Sequence, residues 1–140
     1  MNTHTYESSL ALVGVTVPEH LQADAEVPII TGEPQCQGDL IVIPIGAAPA
    51  GMEPVPTAGI QVVHGEATGN THWLHAGFES AGVTFKRVDR GLVVGVVDVP
   101  EGQSALLIHT DEHGSNGIGA GTYEIRRQRE QAEEIRMVQD

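Results

Sequence analysis

Cysteine and long apolar runs are both scarce in this 140-residue sequence. The single cysteine, Cys36, cannot form an internal disulfide, and its neighbours in EPQCQG include no base or histidine to stabilise a thiolate. The longest apolar run, LIVIPIGAAPAG, is interrupted by proline and glycine, and no cationic start leads into an apolar stretch. We therefore expect an inert thiol in one soluble domain, with no membrane span and no visible export signal.

Positive charge is missing from the first 85 residues, which contain nine acidic residues and no lysine or arginine. The net charge of the whole chain is −12. Nucleic acids and anionic membranes attract proteins through lysine and arginine, so this charge argues against both as partners. The remaining partners are neutral or basic protein surfaces, or cations.

Short β-branched runs bounded by glycine, proline, asparagine or aspartate recur through the chain. The eight candidate strands are LALVGVTV, VPII, DLIVIPI, IQVV, GVTFKRV, GLVVGVVDV, SALLIHT and GTYEIRR. Their spacing of roughly ten residues leaves no room for crossover helices, which predicts an all-β fold, either an antiparallel sandwich or a small barrel. In the runs at 40–45 and 92–99, the side chains on both faces of the strand are apolar, which predicts central strands. Pro44 cannot donate a hydrogen bond to a neighbouring strand, so it requires an edge or a bulge.

The first 38 residues have no positive charge and only two modest apolar runs. We predict an extended acidic N-terminal arm over residues 1–38 and a β domain over residues 39–140. Apolar side chains in the arm need cover, so the arm should pack along its own domain or on a neighbouring subunit. The residues predicted to bind the partner are Leu10, Leu12, Val15 and Val17.

Two further segments have a clear local signature. The proline- and glycine-rich segment 47–59 predicts a loop. Near the end of the chain, the alternation through Tyr123, Ile125 and Arg127 predicts a strand to about residue 129. A short helical turn from Gln131 is compatible with the sequence, although its apolar face is narrow.

Histidine is concentrated in HGEATGNTHWLH, residues 64–75. A metal site needs at least three convergent ligands. The candidates are His64, His72, His75, Glu79, His109 and His113. On a regular strand His75 lies on the face opposite His72, so these two cannot chelate one ion together. Hydrogen-bonded structural histidines, a metal site and an acid–base centre all stay open.

Familiar catalytic signatures are missing from the sequence. There is no G-x-S-x-G elbow, no H-E-x-x-H helix and no P-loop, and GIGAG at 117–121 leads into a strand-like segment and predicts a tight turn. Asp111 and Glu112 beside His113 are typical of a solvated loop. The sequence therefore predicts no catalytic residue.

The segment from Gly65 to Glu79, together with EHGSNGIGAGTYEI, resembles the two-motif pattern of cupins. That pattern has a glycine, a His-x-His pair and a glutamate in its first motif, and a third histidine in its second. Asn70 stands at the first histidine position here, and His72 at the second. The resemblance implies a jelly-roll fold and one divalent transition metal held by His72, Glu79 and His113.

A second resemblance spans about residues 39–130. The segments GDLIVIPIGAAPAG, GEATGNTH and EHGSNGIGAGTYEIRRQRE are similar, in this order, to small uncharacterised proteins of actinobacteria and their tailed phages. The resemblance implies an association with phage particles and brings no established activity.

Two functions of different classes follow. The first is a non-enzymatic structural protein of a phage virion, a homo-oligomer that binds the outer capsid surface as a decoration or minor capsid protein. Its expected partner is the major capsid protein or another large protein assembly. The outer surface is expected because packaged DNA repels a chain of this charge. It would bind by strand addition through residues 9–17. The alternative is a cupin-like metalloprotein, located in the cytoplasm, that binds or transforms a small molecule.

Overall fold

The computed structural model describes residues 3–14, 25–63, 71–109 and 114–128. In this part of the chain there are one helix and eleven strands. They are α1 (Tyr6–Ala11), β1 (Ile29–Ile30), β2 (Gln35–Gln37), β3 (Leu40–Ile45), β4 (Glu53–Pro54), β5 (Ile60–Val63), β6 (His72–Ala76), β7 (Thr84–Arg90), β8 (Val93–Val99), β9 (Ala105–His109), β10 (Ser115–Ile118) and β11 (Gly121–Arg127).

The strands form two sheets that pack face to face as a β-sandwich. One sheet has the order β1-β10-β9-β6-β5, and the other has the order β2-β3-β11-β8-β7-β4. All strand pairs are antiparallel except β1 with β10, which is parallel. The predicted all-β fold is therefore confirmed, and of the two predicted architectures the chain adopts the open sandwich.

The core lies between the two sheets and follows the alternation of the strands. On β11, Tyr123 and Ile125 are fully buried, while Glu124 and Arg126 point outward and approach each other at 3.7 Å. The principal core residues are Leu40, Val42, Val62, Leu74, Val83, Phe85, Val94, Val97, Val99, Leu107, Ile118, Tyr123 and Ile125. Burial of these side chains is the main force that holds the sheets together.

Seven of the eight predicted runs contain a strand, whereas the described part of the first run, residues 10–14, contains none. Residues Tyr6–Ala11 form a helix because Thr5 and Ser8 make a reciprocal capping box, which satisfies the first free amides. Glu7 lies in the first turn, where its charge is favourable. The predicted strand over residues 10–17 is therefore wrong at its start, and residues 15–17 lie outside the described part.

Two details of the predicted sheet can be compared with the structure. The 92–99 run is central, because β8 lies between β11 and β7, whereas the 40–45 run lies one strand from the edge. The edge strand β2 pairs only with Leu40, Ile41 and Val42 of β3. Pro44 lies beyond the part of β3 that pairs with β2. On that side, no strand of the described sheet therefore needs a hydrogen bond from the N–H group that proline lacks.

The predicted arm is built into the sandwich wherever it is described. Its residues supply β1 to one sheet and β2 to the other, both at an edge. Leu10 and Val27 pack against Leu106 and Ile108 on the outer face of the five-stranded sheet. Of the two expected arrangements, the described part of the arm adopts packing along its own domain.

Segment 47–59 is irregular apart from the two residues of β4, as expected for a loop. The last predicted strand ends at Arg127, and the helical turn from Gln131 lies outside the described residues. No helix in the described ranges is both long enough and apolar enough to cross a membrane.

Candidate functional site: a stacked histidine pair and an open sheet edge

Two histidine rings are stacked at one end of the sandwich interior. His72 begins β6 and His109 ends β9, and the antiparallel register places them directly opposite each other. Their ring centroids are 4.0 Å apart and the planes are nearly parallel, at 4°. Both lie on the face that carries Leu74 and Leu107, so both rings are buried.

A chain of side-chain amides lies beside this pair and has a fixed direction. Gln35 donates from Nε2 to the carbonyl oxygen of Gly117 at 3.1 Å, so its Oε1 accepts from Asn116 Nδ2 at 3.0 Å. Gln37 donates from Nε2 to the carbonyl oxygen of Leu107 at 2.6 Å and to Asn116 Oδ1 at 2.9 Å. Because a backbone carbonyl can only accept, each of these amides has one orientation.

The amide chain fixes the protonation of His72. Gln37 Oε1 is left as an acceptor, and it lies 2.9 Å from His72 Nδ1. Nδ1 therefore carries a proton, and in the neutral ring Nε2 is the acceptor. His72 Nε2 lies 3.4 Å from Asp39 Oδ1, whose side chain is largely exposed. A neutral Nε2 cannot donate to a carboxylate, so this contact is favourable when Nε2 holds a second proton or faces a cation.

Gly38 lets the backbone approach the two rings. Its φ of +58° is in the left-handed region, which favours glycine. A Cβ atom at this position would lie 3.2 Å from His72 Cε1 and 3.3 Å from His109 Cε1. A side chain at residue 38 would therefore press on both imidazoles and disturb the stack.

The structure does not bring Glu79 to His72. His72 begins β6, whereas Glu79 lies after its end. The strand from His72 to Ala76 covers about 13 Å at ~3.3 Å per residue. Glu79 follows in an exposed turn with φ of 48°. The chain therefore moves away from His72 along β6 before it reaches Glu79. In the described ranges, no group of three or more His, Cys, Asp or Glu side chains is placed to hold a metal.

Several residues of the cupin-like pattern lie outside the described residues. They are His64, Gly65, Asn70 and His113, with Asp111 and Glu112 beside the last of these. Of the predicted metal ligands His72, Glu79 and His113, the structure therefore describes only the first two.

His75 lies on the outer face of the same sheet, as strand alternation predicts. Its ring is buried, 6.4 Å from the ring of Trp73, and Gly59 packs directly against it. Burial lowers the pKa of His75, and a charge on His4 lowers it further. Burial also lowers the pKa of His4. Both rings are therefore mostly neutral at pH 7.

The residues predicted to bind a partner differ in their exposure to solvent. Leu10 is fully buried in its own chain, which corrects its assignment to a partner surface, because α1 turns this side chain onto Val27 and Ile108. Leu12 is 42% exposed. Val15 and Val17 lie outside the described residues.

The sheet edge at β1 is an exposed apolar feature that the sequence did not single out. Ile29 and Ile30 are 40% and 37% exposed, although both belong to a strand. The carbonyl oxygens of Pro28 and Ile30 accept from Gly117 at 3.2 Å and Gly119 at 2.9 Å. Within the described part of the chain, no named strand pairs with the other side of β1, but directly before it the N-terminal segment forms a bridge between Thr5 and Glu26, and Val27 donates to the carbonyl oxygen of His4 at 2.8 Å.

Partial signals for the amide chain and for the edge strand β1 are present in the sequence. Gln35 and Gln37 are separated by one residue, which places both on one face of a strand, but their partner Asn116 is about 80 residues away. Two consecutive isoleucines in VPII predict a strand and do not indicate whether it lies at an edge.

Comparisons with known proteins give one match. The chain has no match among the curated proteins or among the solved structures. A family model for a domain of unknown function, DUF8820, matches residues 36–128, which is more than half of the chain. The match begins within β2 and ends just after β11, so α1 and β1 precede it. The chain therefore belongs to the DUF8820 family of domains of unknown function.

Proposed function

We propose that the protein is a non-enzymatic structural protein of a phage virion, which binds the outer capsid surface as a decoration or minor capsid protein. The observation that carries the proposal is the edge strand β1, where the apolar side chains of Ile29 and Ile30 are exposed. An exposed apolar edge strand is a liability for a free protein unless a partner covers it.

The charge of the chain supports the outer surface as the location. The first 85 residues hold nine acids and no lysine or arginine. Packaged DNA would repel this acidic chain, a basic protein surface would attract it, and a neutral protein surface would not repel it. The phage capsid as the partner rests on the resemblance of the GDL, GEATGNTH and RRQRE segments to proteins of tailed phages.

The direct test is the composition of purified particles. Phage particles from the source of this chain would be banded on a density gradient, and their proteins identified and quantified by mass spectrometry. We expect the chain in DNA-filled particles in many copies, accessible to an antibody on intact particles. Complete particles that lack the chain would contradict the proposal.

A second candidate function is the binding of one divalent transition metal. The observation that favours it is the fixed proton on His72 Nδ1, which turns Nε2 toward Asp39. Metal-binding histidines commonly donate their other ring nitrogen to a neighbouring acceptor, as His72 does to Gln37. His72 and Asp39 would supply two ligands of an ion such as Zn²⁺, and His113, the further ligand that the cupin resemblance implies, lies outside the described residues. When bound, the ion would act as a Lewis acid.

Calorimetric titration with Zn²⁺ tests this second candidate. We expect binding of about one ion per chain, weakened roughly 10- to 100-fold or more in His72→Ala, because a ligand is removed. His75→Ala is the matched control, since His75 lies on the opposite face of the same strand, and its affinity should stay unchanged. Equal affinity of His72→Ala and the wild type would refute the site.

A further inference from the structure

We propose that residues 3–14 form a flap over the outer face of the five-stranded sheet, and that protonation of His4 and His75 in mild acid releases this flap. Its release would expose an apolar surface that is covered at neutral pH. The inference goes beyond the proposed function and does not depend on it, because it concerns one face of the sheet and the segment that lies on it.

The backbone of the flap is joined to the sandwich beside β1. In the described ranges, two backbone hydrogen bonds make this connection: Val27 donates to the carbonyl oxygen of His4 at 2.8 Å, and Tyr6 donates to that of Ala25 at 3.0 Å. The match to the family model begins at residue 36, so the flap precedes the matched part of the chain. The flap is therefore an addition to the two sheets rather than a strand of either one.

Side chains of α1 add contacts with the face of the sheet. Leu10 is fully buried against Leu106 and Ile108 of β9, and Ser9 Oγ lies 2.7 Å from Ser115 Oγ. A helix of six residues is not stable alone, so α1 depends on this packing. Local opening of such a segment costs less free energy than unfolding of both sheets.

His75 lies on the face that the flap covers. Trp73, on the same face, packs against the cluster that contains Leu10. The ring of His75 is only 4% exposed, and a Cβ atom at Gly59 would overlap its Nε2. Among the described residues, none forms a hydrogen bond with this nitrogen. Because a protonated imidazole donates from both nitrogens, a charged His75 would bury a donor and a charge without an acceptor or water.

His4 brings a second titratable ring, which belongs to the flap itself. Burial lowers the pKa of His75, and the positive charge of His4 lowers it further. Burial also lowers the pKa of His4. In the closed form the two rings therefore resist protonation, and their charges repel each other when both are protonated.

The elements around His75 supply no compensating negative charge in the described ranges. The flap also carries Tyr6 and Glu7, and Glu26 stands opposite Thr5 in the bridge, but no described ion pair joins either carboxylate to His4 or His75. The described residues of β5 and β9 contain no acid. Arg87 binds the carbonyl oxygen of Gln61 on β5, and as a cation it cannot offset a charge on His75.

The flap should be closed at neutral pH and open in acid. Once released, both rings return toward the ordinary histidine pKa of about 6.5, whereas in the closed form their pKa values are lower. As the pH falls below about 6.5, the open form binds protons that the closed form does not, so the closed form loses stability. Each additional proton bound by the open form shifts the equilibrium about tenfold per pH unit. Opening exposes Leu10, Leu106 and Ile108.

Hydrogen exchange of the free chain at about pH 7.5 and about pH 5 tests the inference. After correction for the intrinsic exchange rate, the opening equilibrium of the α1 amides should rise about tenfold or more on acidification, while the β8 amides keep their protection. His4→Gln and His75→Gln should each reduce this pH dependence, and the double variant should remove it. Glu7→Gln is the matched control in the same segment and should respond to pH as the wild type does.

Each other result counts against the proposal. Unchanged protection of α1 at about pH 5, or the same pH dependence in the double variant as in the wild type, would show that the two histidines do not control the flap. Parallel loss of protection in α1 and β8 would indicate global acid unfolding instead of local release. If His75→Gln does not fold, His4→Gln decides alone, and a pH dependence equal to that of the wild type would overturn the proposal.

Discussion

Replacement of Gln37 by methionine is expected to lower the free energy of unfolding by roughly 3 to 5 kcal/mol, because buried polar partners that lose a hydrogen bond cost about 1 to 3 kcal/mol each. Three partners are affected: the carbonyl oxygen of Leu107, Asn116 Oδ1 and His72 Nδ1. Gln37 is 2% exposed, so water does not replace them readily. Methionine has a similar length, so the loss reports hydrogen bonding more than cavity formation.

Urea unfolding of a graded series measures this effect. Gln35→Met removes the bonds to Gly117 and Asn116 and should cost less than Gln37→Met. Cys36→Ser lies between them on β2 but is exposed, and it should change stability by no more than about 0.5 kcal/mol. If Gln37→Met unfolds at the same urea concentration as Cys36→Ser, the amide chain does not hold the sheets together at this end.

The same variant separates stability from the state of His72. In the wild type the Gln37 acceptor holds the proton on Nδ1, so nitrogen NMR of the neutral ring should show that tautomer. In Gln37→Met this restraint is gone, and a mixture of tautomers is expected. The amide chain thus contributes to the stability of the fold and also leaves His72 Nε2 as the nitrogen that would bind a proton or a metal ion.

Periodicity predicted most of the sheet because long apolar runs must be buried on at least one face. The runs at 40–45 and 92–99 became β3 and β8. The four strands that were missed, β2, β4, β6 and β10, have two to five residues each and contain no long apolar run. β2 consists of glutamine, cysteine and glutamine. β10 contains a glycine, Gly117, because β1 approaches this position so closely that a Cβ would lie 2.5 Å from the Pro28 oxygen.

The candidate site was predictable only as far as local alternation reaches. The opposite faces of His72 and His75 follow from the strand period, and the structure agrees. The stacking of His72 on His109 depends on the register between β6 and β9, which no local pattern specifies. Glu79 was grouped with His72 by a motif spacing, and a straight strand separates them.

The division between arm and domain was drawn from composition, and composition does not reveal edge strands. β1 and β2 have few residues and lie within an acidic, proline-containing segment, yet each pairs with a strand from the rest of the chain. Tyr123 ties the same segment down: its hydroxyl accepts from the Gly32 amide at 2.8 Å and donates to the Gly119 carbonyl at 2.9 Å. Removal of residues 1–38 would therefore take strands from both sheets and could not test docking alone.

Leu10→Ala is expected to cost about 2 to 5 kcal/mol, the usual range for a buried leucine, whereas Leu12→Ala should change stability by no more than about 0.5 kcal/mol. The two residues are neighbours at the end of α1, but Leu10 is fully buried against Val27, Leu106 and Ile108, while Leu12 is 42% exposed. The pair therefore separates packing of the helix on its own sheet from contact with a partner.

Urea unfolding, with hydrogen exchange of the α1 amides, distinguishes global from local loss of structure in Leu10→Ala. Because α1 is short, its stability depends on this packing rather than on intrinsic propensity. Particle binding provides the second measurement: Leu12→Ala should retain full stability and bind more weakly if the exposed end of α1 contacts the partner. If Leu10→Ala is as stable as Leu12→Ala, the helix is not anchored by its buried leucine, and the N-terminal segment would be free to act as the arm that its composition suggests.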